Sequence, residues 1–434
     1  MQVNPIIRFL FLVIFITTSA LAQDQQNWQQ KSYVPHFRAI NALQILPSGR
    51  IIAAGGNETN DAITSLFYSD DSATTWNFII DTIHSWIKDI HFPTADTGYA
   101  VGYNGLILKS VNGGLNWSAI ILPGNAGSRN YNGVHFMNGR TGVIVGGNQA
   151  NDSIQTILRT TDGGQSWSII TDALGSWLLD VEFVNSNNGY AVGEMGKVLY
   201  TSDGGQSWST VAVPSGLASR KFHGLHFFDS QTGLVVGGNE ANDSIQTIIK
   251  TTDGGANWNM ISDSIASMLR VVHFINANQG YVAGDDGVLK YTSDQGLTWT
   301  TYTITGNDTY GINDINFLNG GFGIAAGVTG KVFVYKNSLS IGVTKQENFG
   351  ESNLEVYPNP ANEMILLHVN NSFNPCKTNC SMVIRNVLGE VCEQLSLDTL
   401  NEFTKIDISN LKSQFYILTL TTTNQIFTLK FIKK

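Results

Sequence analysis

The chain alternates short apolar runs with turns rich in glycine, asparagine and aspartate, and this alternation predicts β-strands along most of its length. One order of runs recurs: an apolar strand ending in Phe, a Gly-aromatic-Ala-Val-Gly strand, a strand ending in Thr, a polar turn, and a strand that starts with Trp. One copy consists of Leu178–Val184, Gly189–Gly193, Lys197–Thr201 and Trp208–Val213. The pattern predicts a four-stranded antiparallel unit that is repeated.

The polar turn is the best preserved part of the repeat, with the pattern Ser/Thr, any residue, Asp, any residue, Gly, two residues, Trp. We expect the Asp to cap backbone N–H groups, the Gly to take a positive φ, and the Trp to start the returning strand. In degraded copies Asn112 stands at the Asp position and Ala73 at the Gly position. The residues that this pattern assigns to a structural role are Asp71, Trp76, Asn112, Trp117, Asp162, Trp167, Asp203, Trp208, Asp253, Trp258, Asp294 and Trp299.

The tryptophans of the six turns are separated alternately by 41 and 50 residues, so the true period is 91 residues. Residues 312–336 carry a seventh set of inner strands, with no turn and no Trp strand after it. The missing strand matches residues 27–33, where Asn27 and Trp28 resemble Asn116 and Trp117. We therefore predict an all-β fold, a seven-bladed β-propeller over residues 27–338 that is closed by the N-terminal strand.

The polar turn resembles the Asp-box of bacterial sialidases and related propellers. Together with the preceding Val-Gly-x-x-Gly, as in Val192–Trp208, it is similar to the seven-bladed photosystem II assembly and stability factors of plants and cyanobacteria. The resemblance covers about residues 27–338. It implies the fold far more than an activity, because function depends on a site and not on the architecture.

After a polar linker over residues 339–353, residues 354–434 contain short strand-like runs that predict a small β-sandwich. Tyr357-Pro358-Asn359-Pro360, Val387-Leu388-Gly389-Glu390, Tyr416 and the basic last residues resemble the C-terminal sorting domain (type A) of the type IX secretion system of Bacteroidetes. Phe415 departs from that family, which usually has Gly there. The resemblance implies a partnership with the type IX secretion machinery and passage across the outer membrane.

The N-terminus has the features of a secretory signal peptide. Arg8 precedes an unbroken apolar run, Phe9–Ile16, and Ala20-Leu21-Ala22 supplies a small-x-small cleavage pattern. The apolar run is too short to span a membrane. We expect residues 1–22 to be removed, the protein to be exported through the periplasm to the medium or the outer cell surface, and no transmembrane segment to remain after cleavage.

Composition excludes some partners. The 434 residues carry a net charge of −9, and an acidic chain without a basic patch is a poor binder of nucleic acid. The three cysteines, Cys376, Cys380 and Cys392, leave the disulfide pairing open. Their spacing lacks the second ligand pair of a zinc site, so we predict neither a metal nor a cofactor.

Two features recur that a propeller blade does not require. Arg38, Arg129 and Arg220 are spaced by 91 residues, and each long blade carries an insertion with an Asn-Asp pair. Those pairs are Asn60 and Asp61, Asn151 and Asp152, and Asn242 and Asp243. Both features should lie on one face, as a candidate binding surface. The alternative is that duplication copied these loops together with their blades.

Four histidines, His91, His135, His226 and His273, each precede the Phe of an inner strand. They belong to different blades and should face between sheets, so they cannot converge on one metal ion. We expect them to be buried, hydrogen-bonded core residues.

Two classes of function remain. The first is a non-catalytic binding or scaffold protein whose propeller face binds a protein or glycan. The alternative is a secreted glycoside hydrolase of the sialidase or xyloglucan-hydrolase type. Such an enzyme needs paired carboxylates about 5 to 10 Å apart, and the sequence spacing assigns no catalytic residue.

Overall fold

The computed structural model of the protein describes residues 28–35, 38–56, 64–80, 85–122, 124–148, 154–239, 245–302, 304, 310–318, 322–336, 354–357, 361, 363–369, 380–386, 390–397, 403–412, 414–421 and 426–433. They belong to two compact units, one within Met1–Ser338 and one within Leu339–Lys434. The all-β class predicted from the sequence is confirmed, with short 3₁₀ turns such as Gly124–Ser128 and Asp285–Gly287. Among the described residues, no helix has the length and apolar character needed to cross a membrane.

The described part of the first unit contains seven four-stranded antiparallel sheets. Its first strand is β1 (Trp28–Tyr33). Sheet 1 consists of β2 (Ala39–Ile45), β3 (Ile51–Gly56), β4 (Thr64–Ser69) and β5 (Asn77–Ile80). Sheet 2 consists of β6 (Ile87–His91), β7 (Gly98–Gly102), β8 (Ile107–Ser110) and β9 (Ser118–Ala119). Sheet 3 consists of β10 (Asn130–Phe136), β11 (Gly142–Asn148), β12 (Ile154–Thr160) and β13 (Ser168–Leu174).

The remaining sheets of this unit follow the same meander order. Sheet 4 consists of β14 (Leu178–Phe183), β15 (Gly189–Gly193), β16 (Val198–Thr201) and β17 (Ser209–Thr210). Sheet 5 consists of β18 (Lys221–Phe227), β19 (Gly233–Gly238), β20 (Ile245–Thr251) and β21 (Asn259–Ile265). Sheet 6 consists of β22 (Leu269–Phe274), β23 (Gly280–Gly284), β24 (Leu289–Thr292) and β25 (Thr300–Tyr302). Sheet 7 consists of β26 (Ile312–Leu318), β27 (Phe322–Gly327), β28 (Lys331–Lys336) and β1.

Strand β1 is therefore the outermost strand of sheet 7, where Trp28 pairs with Tyr335. The Trp28 side chain is 3% exposed and contacts the rings of Tyr281, Phe317 and Tyr335 at centroid distances of 5.4 to 5.8 Å. Aromatic contacts of this kind add to the stabilisation from burial. The N-terminal strand is thus held by a buried aromatic cluster as well as by its backbone hydrogen bonds.

The first strand of each sheet is its innermost strand, and these strands contact one another in sequence, with β26 contacting β2. The apolar core lies between neighbouring sheets. For example, Ile40 and Ala53 of sheet 1 share a buried cluster with Ile324 and Val332 of sheet 7. Sheet-on-sheet burial of this kind is the main stabilising contribution in a unit whose described residues include no cysteine.

The Asp-box turns connect the third and fourth strands and have one hydrogen-bond pattern. In the third copy, Oδ1 of Asp162 accepts the Thr160 hydroxyl and the Ser166 N–H, while the Thr160 hydroxyl oxygen accepts the Gly164 N–H. The Ser166 hydroxyl hydrogen bond, followed by the Ser166 backbone N–H, lowers the pKa of Asp162 to about 2. In the first copy Ala73 adopts the turn with a φ of 63°, a conformation that favours Gly.

The second unit contains two antiparallel sheets. The three-stranded sheet has the order β29 (Leu354–Tyr357), β30 (Met364–Val369) and β33 (Phe403–Asp407). The four-stranded sheet has the order β32 (Val391–Leu397), β31 (Cys380–Asn386), β34 (Phe415–Thr421) and β35 (Ile426–Ile432). Both contribute to one apolar core that includes Ile365, Met382 and Leu418. Cys380 is disulfide-bonded, and Cys392 is free and exposed.

Candidate ligand site in the central pocket

Each of the seven innermost strands contains a β-bulge at the same position. In sheet 2, Ile87 pairs with Gly102 and Asp89 pairs with Val101, so Lys88 between them is the extra residue. A bulge redirects the side chain of the extra residue, and bulges are common beside functional sites. The seven bulge residues are Asn41, Lys88, Asn132, Leu179, His223, Arg270 and Asn313.

A glycine at the end of each second strand makes the bulge possible. A Cβ on Gly102 would lie 1.8 Å from the carbonyl oxygen of Trp86, two residues before the bulge residue. No side chain fits at that distance, so a larger residue would force the two strands apart. The same close approach occurs at Gly55, Gly146, Gly193, Gly237, Gly284 and Gly327. This contact explains the last glycine of the repeated Gly-aromatic-Ala-Val-Gly strand.

The seven bulge residues line a pocket of about 490 Å³ to which all seven innermost strands contribute. We call it the central pocket. Tyr103, Glu194 and Val328, which follow the second strands of sheets 2, 4 and 7, also line it. The pocket therefore opens at the end of the sheets where the second and third strands are connected, whereas the Asp-box turns lie at the opposite end. Its volume is within the usual range for small-ligand sites.

Three of the bulge residues are asparagines that connect neighbouring sheets. Nδ2 of Asn41 donates to the carbonyl oxygen of Ile87, Nδ2 of Asn132 donates to that of Leu178, and Nδ2 of Asn313 donates to that of Ile40. These bonds join sheets 1 and 2, 3 and 4, and 7 and 1. At these three positions the bulge side chain has a clear structural use.

The bulge residues of sheets 2, 5 and 6 are basic. Lys88 Nζ lies 5.8 and 5.6 Å from the ring centroids of Trp86 and Tyr103, which stack on each other. Arg270 forms a two-point hydrogen bond with Asp285, from Nε to Oδ1 at 2.5 Å and from Nη2 to Oδ2 at 3.2 Å. Both cationic groups are thus held in position around the pocket by neighbouring side chains.

Sheet 5 contributes a third cation, Lys221. Lys221 forms an ion pair with Glu194 of sheet 4 at 2.6 Å. His223, the bulge residue, has a pKa well below its usual value, because it is desolvated and because Arg270, Lys88 and Lys221 disfavour a further positive charge. Its imidazole is therefore neutral at physiological pH. His223 and the three cations line the same pocket.

Three aspartates line the pocket immediately after bulge residues, and each connects two sheets. Asp89 accepts the N–H groups of Ile90 and Val134, both at 2.8 Å. Asp180 does the same for Val181 and Leu225, and Asp314 for Ile315 and Leu43. Desolvation raises the pKa of Asp180 to about 6 and that of Asp314 to about 7, and desolvation with repulsion from Asp180 raises the pKa of Asp89.

Two residues further along the innermost strands lie the histidines singled out from the sequence. Nδ1 of His91 accepts the N–H of Phe136 in the next sheet, at 2.8 Å. His226 Nδ1 lies 3.8 Å from Oε1 of Glu182, whose Oε2 accepts the N–H of Phe227. Burial lowers the pKa of His91 to about 4 and the pKa of His226 to about 3. These side chains are neutral parts of the contacts between sheets.

Two of the three arginines expected on a binding face, Arg129 and Arg220, are buried. Arg129 is 7% exposed, and it forms two hydrogen bonds with Asp172, from Nε at 2.9 Å and from Nη2 at 2.7 Å. Arg220 is 8% exposed and donates to the Ser219 hydroxyl. Arg38 precedes β2, and none of the three lines the central pocket. Arg129 thus already uses Nε and Nη2 to bond a carboxylate within the fold.

The Asn-Asp pairs of the insertions, at positions 60 and 61, 151 and 152, and 242 and 243, lie outside the described residues. Within the described ranges, no group of three or more His, Cys, Asp or Glu residues has the arrangement needed to hold a metal ion. The seven bulge residues could not be predicted from the sequence, since a bulge is set by contacts between strands. The signal that could have found part of this set is the pair Asp89 and Asp180, which are 91 residues apart.

Comparison with known proteins agrees with this division into two parts. Residues 355–434 match the family described as the secretion system C-terminal sorting domain. Residues 68–174 match the photosynthesis system II assembly factor YCF48 family, and residues 155–279 match the family described as sortilin, neurotensin receptor 3. The chain joins a propeller of the Asp-box (BNR) type to a type IX secretion sorting tail. No curated protein sequence matches this tailed propeller.

Solved structures show the same propeller fold. YCF48 from Cyanidioschyzon merolae superposes with a TM-score of 0.55 at 16% identity, over 71% of this chain and 99% of that one. PorZ, a surface component of the type IX secretion system of Porphyromonas gingivalis, gives a TM-score of 0.51 at 13% identity. The GH74 xyloglucanase from Xanthomonas campestris gives 0.55 at 13% identity.

The coverage of these last two is unequal. The comparison with PorZ covers 92% of the tailed propeller and 60% of PorZ, and that with the xyloglucanase covers 79% and 59%. These likenesses at low identity concern the fold. The sorting tail indicates a secreted or outer-surface protein.

Proposed function

We propose that the protein is an exported, non-catalytic binding protein, and that its ligand, a protein or glycan, occupies the central pocket. In this proposal the seven sheets are the blades of one ring that β1 closes, spanning residues 27–338. Residues 1–22 direct export through the periplasm, residues 339–353 form a linker, and residues 354–434 engage the type IX secretion machinery of a member of the Bacteroidetes.

The non-catalytic part of this proposal rests on one observation: backbone N–H groups donate to both carboxylate oxygens of each pocket aspartate. Asp89, Asp180 and Asp314 each accept N–H groups from two neighbouring innermost strands through both carboxylate oxygens. A general acid or nucleophile must instead direct an oxygen at the substrate. These aspartates therefore act as connections between sheets.

A glycoside hydrolase is the second candidate, and a specific observation favours it. The pKa of Asp314 is about 7, so this group is partly protonated at neutral pH, and desolvation raises the pKa of Glu182 well above its usual value. A raised pKa of this kind suits a general acid. The fold likeness to a GH74 xyloglucanase is compatible with this candidate.

An activity assay on the mature full-length protein separates the two candidates. Xyloglucan, sialosides and a set of fluorogenic glycosides would be incubated with the wild type and with Asp314→Asn, and released reducing ends would be measured. We expect no release above the buffer control for either protein. Release by the wild type that Asp314→Asn abolishes would overturn the non-catalytic proposal.

A further inference from the structure

We propose that the central pocket binds a sugar residue that carries a carboxylate, such as a hexuronate, with the acid group held by Lys88, Lys221 and Arg270. This inference rests on the proposed binding function and specifies its ligand. It concerns three basic residues of the pocket, namely the bulge residues Lys88 and Arg270, and Lys221 at the start of β18.

The departure from asparagine is the first argument. Asn41, Asn132 and Asn313 each use the bulge to bond the next sheet. At the corresponding positions of sheets 2 and 6 the chain has Lys88, which lies over the Tyr103 ring, and Arg270, which bonds Asp285. A change of residue type at equivalent positions is a way in which a repeat fold can build a specific site.

Preorganisation is the second argument. The Arg270 guanidinium bonds Asp285 through Nε and Nη2, which carry part of its five N–H donors. Lys221 is oriented by its ion pair with Glu194. Lys88 lies against the stacked rings of Trp86 and Tyr103. The three cations come from different sheets and line one pocket, so their positions are fixed before a ligand enters.

The other lining groups distinguish a sugar acid from other anions. Asp180, whose pKa of about 6 leaves it largely ionised at neutral pH, also lines the pocket, and its charge disfavours a dense polyanion such as a phosphate or sulfate cluster. The amide oxygens of Asn41, Asn132 and Asn313, which line the pocket, are acceptors for hydroxyl donors. The Tyr103 ring adds an aromatic surface. A ligand with one carboxylate among several hydroxyls satisfies this mixture better than an acidic peptide, which has few hydroxyls.

Calorimetric titration of the mature full-length protein tests the inference. The probes are trigalacturonate, the neutral trimer of galactose, and triglutamate as an acidic peptide of similar length. We expect trigalacturonate to bind at least tenfold more tightly than either other probe. Lys88→Met and Arg270→Gln should each weaken trigalacturonate binding at least tenfold, and Lys88→Arg should restore most of it. Lys31→Met, an exposed change on β1, should leave affinity and melting temperature unchanged.

Other results would contradict the inference in distinguishable ways. Equal binding of the neutral trimer would refute the role of the carboxylate, and tighter binding of triglutamate would refute the sugar class, while both would leave the binding function intact. Absence of binding by all three probes at millimolar concentration would overturn the inference. Cleavage of any saccharide probe, detected as new reducing ends, would overturn the proposed function itself. If Lys88→Met or Arg270→Gln has a lower melting temperature than the wild type, the trigalacturonate affinity of Lys88→Arg is compared with that of the wild type instead.

Discussion

The backbone N–H of Leu43 donates to Oδ2 of Asp314 at 2.6 Å, which joins the first innermost strand of the propeller to the last. The other oxygen of the same carboxylate accepts the N–H of Ile315. One side chain thus satisfies two backbone donors at the junction of sheets 1 and 7. Because an unsatisfied buried donor costs about 1 to 3 kcal/mol, such connections contribute substantially to holding neighbouring sheets together.

The pKa of Asp314 makes this junction sensitive to pH. Its pKa is about 7 in the folded protein, above the usual 3.8 of an aspartate, so protonation favours the folded state. The stabilisation from this group is full below about pH 4 and is lost as the pH rises through 7. We expect the melting temperature to fall between pH 6.5 and 8, and Asp314→Asn to reduce that slope.

The control for this prediction is Asp229→Asn. Asp229 also accepts two backbone N–H groups, from Gln231 and Thr232, but it lies in an exposed turn. Five histidines have lowered pKa values, so their contribution to stability falls as the pH drops below about 6.5, which is opposite to the effect of Asp314. They are His91, His135, His223, His226 and His273. The window above pH 6.5 therefore isolates the acids. An unchanged slope in Asp314→Asn would refute the assignment.

Arg129→Ala should destabilise the propeller and leave ligand binding intact. The Arg129 and Asp172 side chains are 8% and 18% exposed, and the hydrogen bond from Arg129 is the main reason that the pKa of Asp172 is lowered. Removal of one partner leaves a partly buried charge, so we expect a loss of about 2 to 3 kcal/mol in the free energy of unfolding. Urea denaturation of Arg129→Ala, Asp172→Asn and the double variant gives the coupling energy. A coupling near zero would contradict a structural pair.

Trp28→Ala should destabilise the first unit by about 3 to 5 kcal/mol, the usual cost of truncating a buried tryptophan. Trp28 packs on Tyr281, Phe317 and Tyr335, so both sheets 6 and 7 lose contacts. Thermal melting measures the effect. Gln29→Ala, an exposed change on the same strand, serves as the control. A melting temperature equal to that of the wild type would mean that β1 is not docked in solution.

Deletion of residues 354–434 should leave the propeller in the periplasm. The deleted residues include almost all of the match to the secretion system sorting domain. Cell fractionation followed by immunoblotting would show where the truncated protein accumulates. Arrival of the truncated protein at the cell surface would exclude the sorting role of this segment.

The sequence predicted the strands and the Asp-box turns because both follow local patterns. Asp162, for example, needs only neighbours within four residues to make its bonds. Its partners in the turn are therefore visible in the sequence itself. The sorting tail was predicted in the same way, from short motifs.

The candidate site was predicted poorly because it depends on contacts between distant strands. The Lys88 bulge is set by the close approach of Gly102 to Trp86, and the partner of Arg129 lies 43 residues further on. The sequence did contain a signal for the contact between Arg129 and its partner Asp172. Asp81 and Asp263 stand at that same spacing from Arg38 and Arg220, so the repeat contained the whole Arg–Asp pair and not only the arginine.

The place of β1 has a consequence for how the chain reaches its fold during synthesis. Trp28 is made before the other strands of the first unit, yet its partner strand β28 is the last of them. Until then β1 is an unpaired edge with an uncovered indole, and the β28 of a second, unfinished copy offers it the same register. At high local concentration, β1 of one chain can therefore pair with β28 of another chain. The result is a linked oligomer in which every sheet has four strands, but sheet 7 contains strands from two molecules.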